Sequence, residues 1–459
     1  MAAAVKPFPY QKIGALKIEE FGGRAWLADE MGLGKTYQAL LWAKWNPEAR
    51  PVVVVCPASL KENWERETLH KINLRSEILN GTKPPKMAGM LVAPVLIINY
   101  EILAKWLPYL KSIKPKLVII DEAHRIKNMD AKCTKAVQKL CKRVPHVVAL
   151  SGTPMLNRII EMFPTLNILR PDMFPSFWDY ANEYCEPERT PYGWRFNGAR
   201  NVKQLHKLLR KNVMIRRLKS EVLSELPQMS RHIVPMTLAE SDRKHYDEAY
   251  KDFIRFLQRQ HGSVKANKAK KAEELARTMY MRKLIGEMKT KPVSGWIDEF
   301  LQETDEKLIL FGVHQDVIKV YQERYPNINV VVNGLTPMQK RMTMVDRFQK
   351  DPKCRLFIGN IQAAGVGLNL TAASAVAFAE LGWTPGEHSQ AEKRADRIGQ
   401  KLPVRAYYLL VQNSIEEKMC KLIQSKQKVL SQTLDGTLLE EDLNIHDQLV
   451  QELLKEQRT

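Results

Sequence analysis

The chain has 459 residues, too many for one compact core, so two or three domains are expected. Its 71 Lys+Arg against 51 Asp+Glu leave a formal net charge of +20, for which a polyanion is the simplest partner. No apolar run approaches the ~20 residues that cross a bilayer. Residues 1–11 lack the charged-then-apolar pattern of a secretion signal. The six cysteines include no C-x-x-C pair, which argues against zinc and disulfide frameworks and for a reducing, intracellular location.

In chain order, the first informative stretch is Asp29-Glu30-Met31-Gly32-Leu33-Gly34-Lys35-Thr36. Gly32 and Gly34 permit backbone angles that turn successive N–H groups toward phosphate oxygens. Lys35 can set a point charge against the β- and γ-phosphates, and the Thr36 hydroxyl can ligate Mg²⁺. A helix is predicted from Tyr37 onward, with its dipole favouring an anion at the N-terminus. The general pattern G-x-x-x-x-G-K-T has Gly where this chain has Asp29.

Apolar strands are predicted at Val52–Cys56, Val95–Asn99, Leu117–Asp121 and 147–150, alternating with helical segments, which predicts a parallel sheet wound on both faces. The third strand delivers Asp121 and Glu122 to its C-terminal end, the edge where open α/β sheets bind ligands. Asp121 is placed to hold Mg²⁺, and Glu122 to orient or deprotonate an attacking water. Together with the glycine loop, the pair predicts a nucleoside-triphosphate hydrolysis site.

Beyond this the pattern turns helical. Tyr246, Tyr250, Phe253, Ile254 and Leu257 recur at helical spacing and read as a core-facing stripe. The basic run at 265–271 is a solvated helix face, a grip on a phosphate backbone or a nuclear signal. A second set of strands is predicted at 308–311, 330–332, 356–358, 375–379 and 406–411. Near its end Arg394 and Arg397 stand three apart, one helical turn, on one predicted face. Two guanidiniums so placed could reach a γ-phosphate as arginine fingers.

These motifs, in this order, resemble the Swi/Snf-type ATPases of helicase superfamily two. Phe8-Pro9-Tyr10-Gln11 is similar to that family's adenine-reading motif. Leu27-Ala28-Asp29 through Thr36 is similar to its phosphate loop, in which Asp29 is usual. Cys56-Pro57-Ala58-Ser59-Leu60 with Asn63, Trp64 and Glu67, and Ser151-Gly152-Thr153-Pro154 with Asn157, resemble later motifs. So do Gly365, Gly367, Leu368, Asn369, Leu370 and Thr371, and finally Gln390, Arg394, Arg397, Gly399 and Gln400. The stretch Phe378-Ala379-Glu380-Leu381-Gly382-Trp383 resembles the annealing-helicase and fork-remodelling branch and its bacterial and viral relatives. One departure is Asp396, where the family usually has His.

The resemblance implies an α/β fold of two RecA-like lobes, each a parallel sheet wound with helices, plus helical protrusions. Lobe one is expected over 1–235 with a protrusion at about 160–210. Lobe two is expected over 236–459 with a protrusion at about 240–290 and a helical tail. ATP and Mg²⁺ are the implied cofactors. Gln11, Asp29, Glu30, Met31, Gly32, Leu33, Gly34, Lys35, Thr36, Gly365 and Gln390 are the implied nucleotide contacts, with Thr36 and Asp121 on the metal. Lys35, Asp121, Glu122, Arg394 and Arg397 are the implied catalytic set. Ser59, Thr153, Asn369 and Thr371 are the implied contacts to the DNA backbone; His314 lies either near the DNA or the cleft or in packing, and Trp383 reads first as packing.

The expected activity is that of a monomeric, ATP-driven translocase on double-stranded or branched DNA. It would remodel DNA structures or displace bound protein, in the cytoplasm of a prokaryotic or virus-infected cell or in a eukaryotic nucleus. A DEAH-type RNA helicase and a non-catalytic DNA-binding scaffold are the alternatives. Ser151-Gly152-Thr153-Pro154 and Arg397-Ile398-Gly399-Gln400 weigh against the first. The presence of Lys35, Glu122, Arg394 and Arg397 weighs against the second.

Overall fold

The computed structural model describes residues 6–85, 93–152, 154, 158–190, 193–196, 198–223, 229–261, 268–364, 368–434, 449 and 453. The chain divides into two compact units, one built on Met1–Glu225 and the other on Leu226–Lys428.

The first unit carries β1 (Arg24–Leu27), β2 (Val52–Cys56), β3 (Ser76–Ile78), β4 (Val95–Asn99), β5 (Leu117–Asp121) and β6 (His146–Leu150). A small hairpin follows, β7 (Glu188–Thr190) with β8 (Gly193–Arg195), and then β9 (Met214–Ile215). Seven of these strands form one sheet in the order β3-β4-β2-β5-β6-β1-β9, with every pairing parallel. Every residue of β2 and β4 is buried. Four consecutive valines in β2 suit a strand covered on both faces, where β-branched side chains pack well and no polar alternation is needed. Helices α1 (Pro9–Glu20), α2 (Lys35–Trp45) and α3 (Lys61–Ile72) supply part of that cover.

Register decides what the sheet presents. Leu150 of β6 stands opposite Leu27 of β1 on one side and Asp121 of β5 on the other. The segments leaving β1, β5 and β6 therefore emerge at one level of the carboxyl edge. At the usual strand spacing, β1 and β5 lie about 10 Å apart there.

The second unit carries β10 (Ser230–Met236), β11 (Lys307–Gly312), β12 (Asn329–Val332), β13 (Leu356–Asn360), β14 (Ala373–Phe378) and β15 (Arg405–Val411). Their order is β10-β15-β14-β11-β13-β12, again parallel throughout. The architecture is the expected α/β one of two RecA-like lobes. Among the described residues no helix is long and apolar enough to cross a membrane.

The sequence reading differs from the structure in three places. It puts the division at 235/236, inside what is β10; that strand pairs with β15 along its whole length, so the second unit starts before it. It omits β1, β3, β9 and β10. Arg24-Ala25-Trp26-Leu27 has no β-branched residue, and β10 is largely exposed, so both are strands because a neighbour offers a ladder. The stretch at 160–210 holds helices and the β7–β8 hairpin, and Phe163, Leu166, Tyr180, Val202 and Leu205 from it merge into the core that contains Val53 and Ile120.

In the second unit the helix Glu240–His261 buries Tyr246, Phe253 and Ile254, and Tyr250 packs beside them, as the stripe predicts. The side chains of Leu257 and of the 265–271 lysines fall outside those described.

Candidate functional site

The loop between β1 and α2 runs through two left-handed glycines, Gly32 (φ 88°) and Gly34 (φ 70°). A Cβ would be strained at either position. Gly34 is the N-cap of α2 and has no side chain with which to cap it, and a helix N-terminus favours an anion. Lys35 is the first residue of α2, and its Nζ curls back to donate to the carbonyls of Asp29 (2.8 Å) and Glu30 (3.3 Å). Thr36 follows on the first turn, half-buried.

Asp29 and Gln11 both sit in hydrogen-bond networks around the loop. The Asp29 carboxylate is fully buried. It accepts from Arg217 Nε (3.0 Å) and Nη2, and from Gln38 Nε2 (3.0 Å). Both of its oxygens are engaged within the protein, so its side chain shapes the loop. Gln11 is buried as well. Its amide donates to the Leu33 carbonyl (3.3 Å) and accepts from the Phe8 N–H (3.0 Å), which ties α1 to the loop.

Two strands away, Asp121 Oδ2 accepts from Trp64 Nε1 of α3 at 2.7 Å, and Oδ1 accepts the Glu122 N–H at 2.9 Å. Burial, and next the charge of Glu122, hold the Asp121 carboxyl well above the usual carboxylate range. Glu122 sits in the left-handed region (φ 51°), a strained position for a residue with a Cβ, and this turns the chain off the strand end. Glu122 Oε2 lies 3.4 Å from His124 Nδ1, which lies 3.1 Å from Ser151 Oγ. Burial outweighs the Glu122 charge and lowers the His124 pKa, favouring the neutral imidazole. Gly152 comes next. A Cβ there would fall 2.2 Å from Met31 Cγ and 3.3 Å from Lys35 Nζ. Only glycine lets the strand-end backbone approach the phosphate loop this closely.

The site suits a hard divalent cation bound with a phosphate. Among the described residues no cluster of three or more His, Cys, Asp or Glu could hold a metal by itself. Thr36 and Asp121 supply oxygen donors of the kind Mg²⁺ takes when substrate phosphates and water complete its shell. Burial is the first cause of the raised Asp121 proton affinity and the Glu122 charge the second, while Lys35 acts in the opposite direction.

In the second unit the helical placement of Arg394 and Arg397 is overturned. The helix Pro385–Glu392 ends before either arginine, with Lys393 as its C-cap. The chain then turns around Gln400, whose Nε2 donates to the carbonyls of Ala373 (2.7 Å), Ala395 (3.1 Å) and Thr371 (3.3 Å). Arg394 is buried, with Nη1 on the Leu368 carbonyl at 3.5 Å, and its own carbonyl accepts the Leu370 N–H at 3.0 Å. Arg397 is half-buried and its Nε donates to the Lys393 carbonyl at 2.9 Å. Asp396 pairs with Lys393 at 3.0 Å. Gln390 is buried on the preceding helix.

Ser59 lies half-buried in the turn after β2, Asn369 is exposed, and the Thr371 hydroxyl accepts from Gln349 Nε2 at 3.3 Å. Thr153, Asn157, Gly365 and Gly367 lie outside the described residues. His314 is pinned by Glu380, Nδ1 to Oε1 at 2.6 Å, and Trp383 is covered by the Arg282 guanidinium at 4.1 Å. Sequence reasoning assigned no role to Arg217 or Gln38 and named Glu380 only as part of a stretch; Arg217 and Glu380 act through partners far along the chain, whereas Gln38 bonds the nearby Asp29 and Leu33 as well as Arg217.

The SNF2-related domain matches residues 21–292, and the helicase conserved C-terminal domain matches 292–399. The chain belongs to the SNF2-related family. This SNF2-related chain is 34% identical, over 93% of its length and 61% of the other's, to the SWI/SNF-related matrix-associated actin-dependent regulator of chromatin subfamily A-like protein 1 homolog of Caenorhabditis elegans. It is 33% identical to the DNA annealing helicase and endonuclease ZRANB3 of Mus musculus, over 94% of its own length and 41% of that protein. It thus spans less than two thirds of these relatives. Among solved structures it is similar to the Sulfolobus solfataricus SWI2/SNF2 ATPase core in complex with dsDNA, at 22% identity and a TM-score of 0.44, with 98% of this chain and 97% of that chain covered.

Proposed function

We propose that the chain is a DNA-dependent ATPase that translocates on double-stranded or branched DNA. One observation carries the reading. In a chain of the SNF2-related family, the phosphate loop, the Asp121–Glu122 pair and Gly152 converge on one edge of one parallel sheet. The amides around Gly32 and Gly34, with Lys35, are suited to hold the triphosphate. Thr36 and Asp121 would hold Mg²⁺, which when bound neutralises charge on the β- and γ-phosphates. Glu122 then orients the attacking water and takes its proton, with His124 and Ser151 steadying the carboxylate. Arg394 and Arg397 remain our candidates for the arginine fingers that stabilise the γ-phosphate in the transition state.

The net charge of +20 and the DNA-directed activity in the name of the mouse relative support DNA as the track. Ser59, Thr153, Asn369 and Thr371 remain our candidate backbone contacts. The test is ATP hydrolysis with duplex, forked and single-stranded DNA and with RNA. Duplex or forked DNA should stimulate most. Stimulation by RNA alone would move the chain to the RNA helicases, and no hydrolysis with any polymer would end the motor reading.

A further inference from the structure

The segment that closes the first unit, from β9 to the short helix Lys219–Val222, is bonded to the phosphate loop at every second residue. The Ala28 N–H donates to the Ile215 carbonyl at 2.7 Å, and the Glu30 N–H to the Arg217 carbonyl at 2.9 Å. The Lys219 N–H donates to Glu30 Oε2 at 2.8 Å. Between these backbone bonds, Arg217 forks onto the buried Asp29 carboxylate through Nε and Nη2. Its Nη2 also reaches Gln38 Oε1 at 2.7 Å, its Nη1 donates to the Tyr10 carbonyl, and its guanidinium lies 5.5 Å from the Tyr10 ring centroid. The groups that Arg217 gathers converge on one atom. The Leu33 carbonyl, on the loop between its two glycines, accepts from Tyr10 Oη (3.2 Å), Gln11 Nε2 (3.3 Å) and Gln38 Nε2 (3.3 Å). Gly14 completes the arrangement, since a Cβ there would fall 1.9 Å from Gln38 Oε1 and 2.7 Å from Arg217 Nη2.

We propose that Arg217 is a positioning residue for the nucleotide. It holds Asp29, and through Gln38 and Tyr10 the Leu33 carbonyl, so that the phosphate loop is set before a triphosphate arrives. It also makes the loop and the segment that ends the first unit one hydrogen-bonded body, so a loop that shifts on binding must carry that segment with it. A buried carboxylate needs a partner that satisfies both oxygens, and a forked guanidinium does so where an ammonium cannot. Asp29 and Arg217 together thus anchor a loop whose general pattern has a bare glycine at that position.

The proposal rests on the nucleotide-site reading, and two measurements keep the two separable. The first is hydrogen exchange of the 28–36 amides in nucleotide-free protein. Arg217→Gln should speed exchange of the Glu30 amide and its loop neighbours by roughly tenfold or more, and Arg217→Lys by less. The second is binding of a fluorescent ATP analogue. Arg217→Gln should weaken it by roughly tenfold to a hundredfold, as loss of supporting residues does at other sites, with partial recovery in Arg217→Lys. Gly14→Ala, which displaces Gln38 and Arg217 without removing either, should reproduce both effects and stands in if Arg217→Gln does not fold. Wild-type exchange in a folded Arg217→Gln or Gly14→Ala protein would overturn the proposal. If the wild type binds no nucleotide, the functional reading fails while loop exchange still judges Arg217.

Discussion

Lys35 in this structure donates to the carbonyls of its own loop, at Asp29 and Glu30. Replacing it with alanine removes the point charge proposed to neutralise the β- and γ-phosphates. Lys35→Ala should lower ATP turnover to background, as read by phosphate release. Glu122→Gln keeps the shape but cannot accept a proton, so it should retain ATP and turn it over at least ~100-fold more slowly, consistent with loss of a general base. Fast hydrolysis by that variant would place the base elsewhere. Both residues are singled out in the sequence by neighbours within a few positions. Asp29 was legible only as a member of the loop, since its partner Arg217 lies far along the chain. Gln11 likewise turned out to face the loop with its amide occupied.

At the scale of elements, the helix Pro385–Glu392 shows what packing adds. His388 on it is fully buried against Phe378 and Tyr408, and its Nε2 accepts the Gly382 N–H at 3.1 Å. Burial pushes its pKa down from 6.5 to about 4. The folded state therefore refuses a proton that the unfolded chain takes up. Stability should be full above pH 6.5 and fall as pH drops from there toward about 4, because the unfolded state binds more protons over that window. Denaturant unfolding at pH 7.5 and pH 5 checks this, and His388→Gln should flatten the difference. A second buried device joins the helices Thr290–Glu303 and Ile415–Leu434. Lys289, the N-cap of the first, has its ammonium on Glu416 (2.6 and 2.7 Å) and on the Leu409 carbonyl (2.8 Å). Glu416→Ala would leave the Lys289 charge buried and unpaired, and should cost about 3–5 kcal/mol of unfolding free energy.

For the molecule as a whole, the +20 charge bears on binding more than on fold. Contacts to a phosphate backbone release counterions and read little sequence. Duplex affinity should therefore fall on the order of 10³-fold between about 50 and 200 mM salt if ~six phosphates are neutralised, with little dependence on base sequence. A titration of labelled duplexes across salt tests this, and a flat response would argue for a different partner.

The sequence by itself determined the two parallel sheets, the phosphate loop and the paired carboxylates. The longer buried strands announce themselves as apolar runs, and the loop and the carboxylates are each made of residues adjacent in the chain. Tertiary structure alone decided that Arg394 and Arg397 leave the helix, because Gln400 folds the turn around itself through three carbonyls. It alone paired β10 with β15, whose ladder rescues a half-exposed strand that no pattern marks. It alone also brought Arg217 to Asp29. A buried charge must find its counter-charge wherever the fold delivers one, and spacing along the chain carries no trace of that meeting.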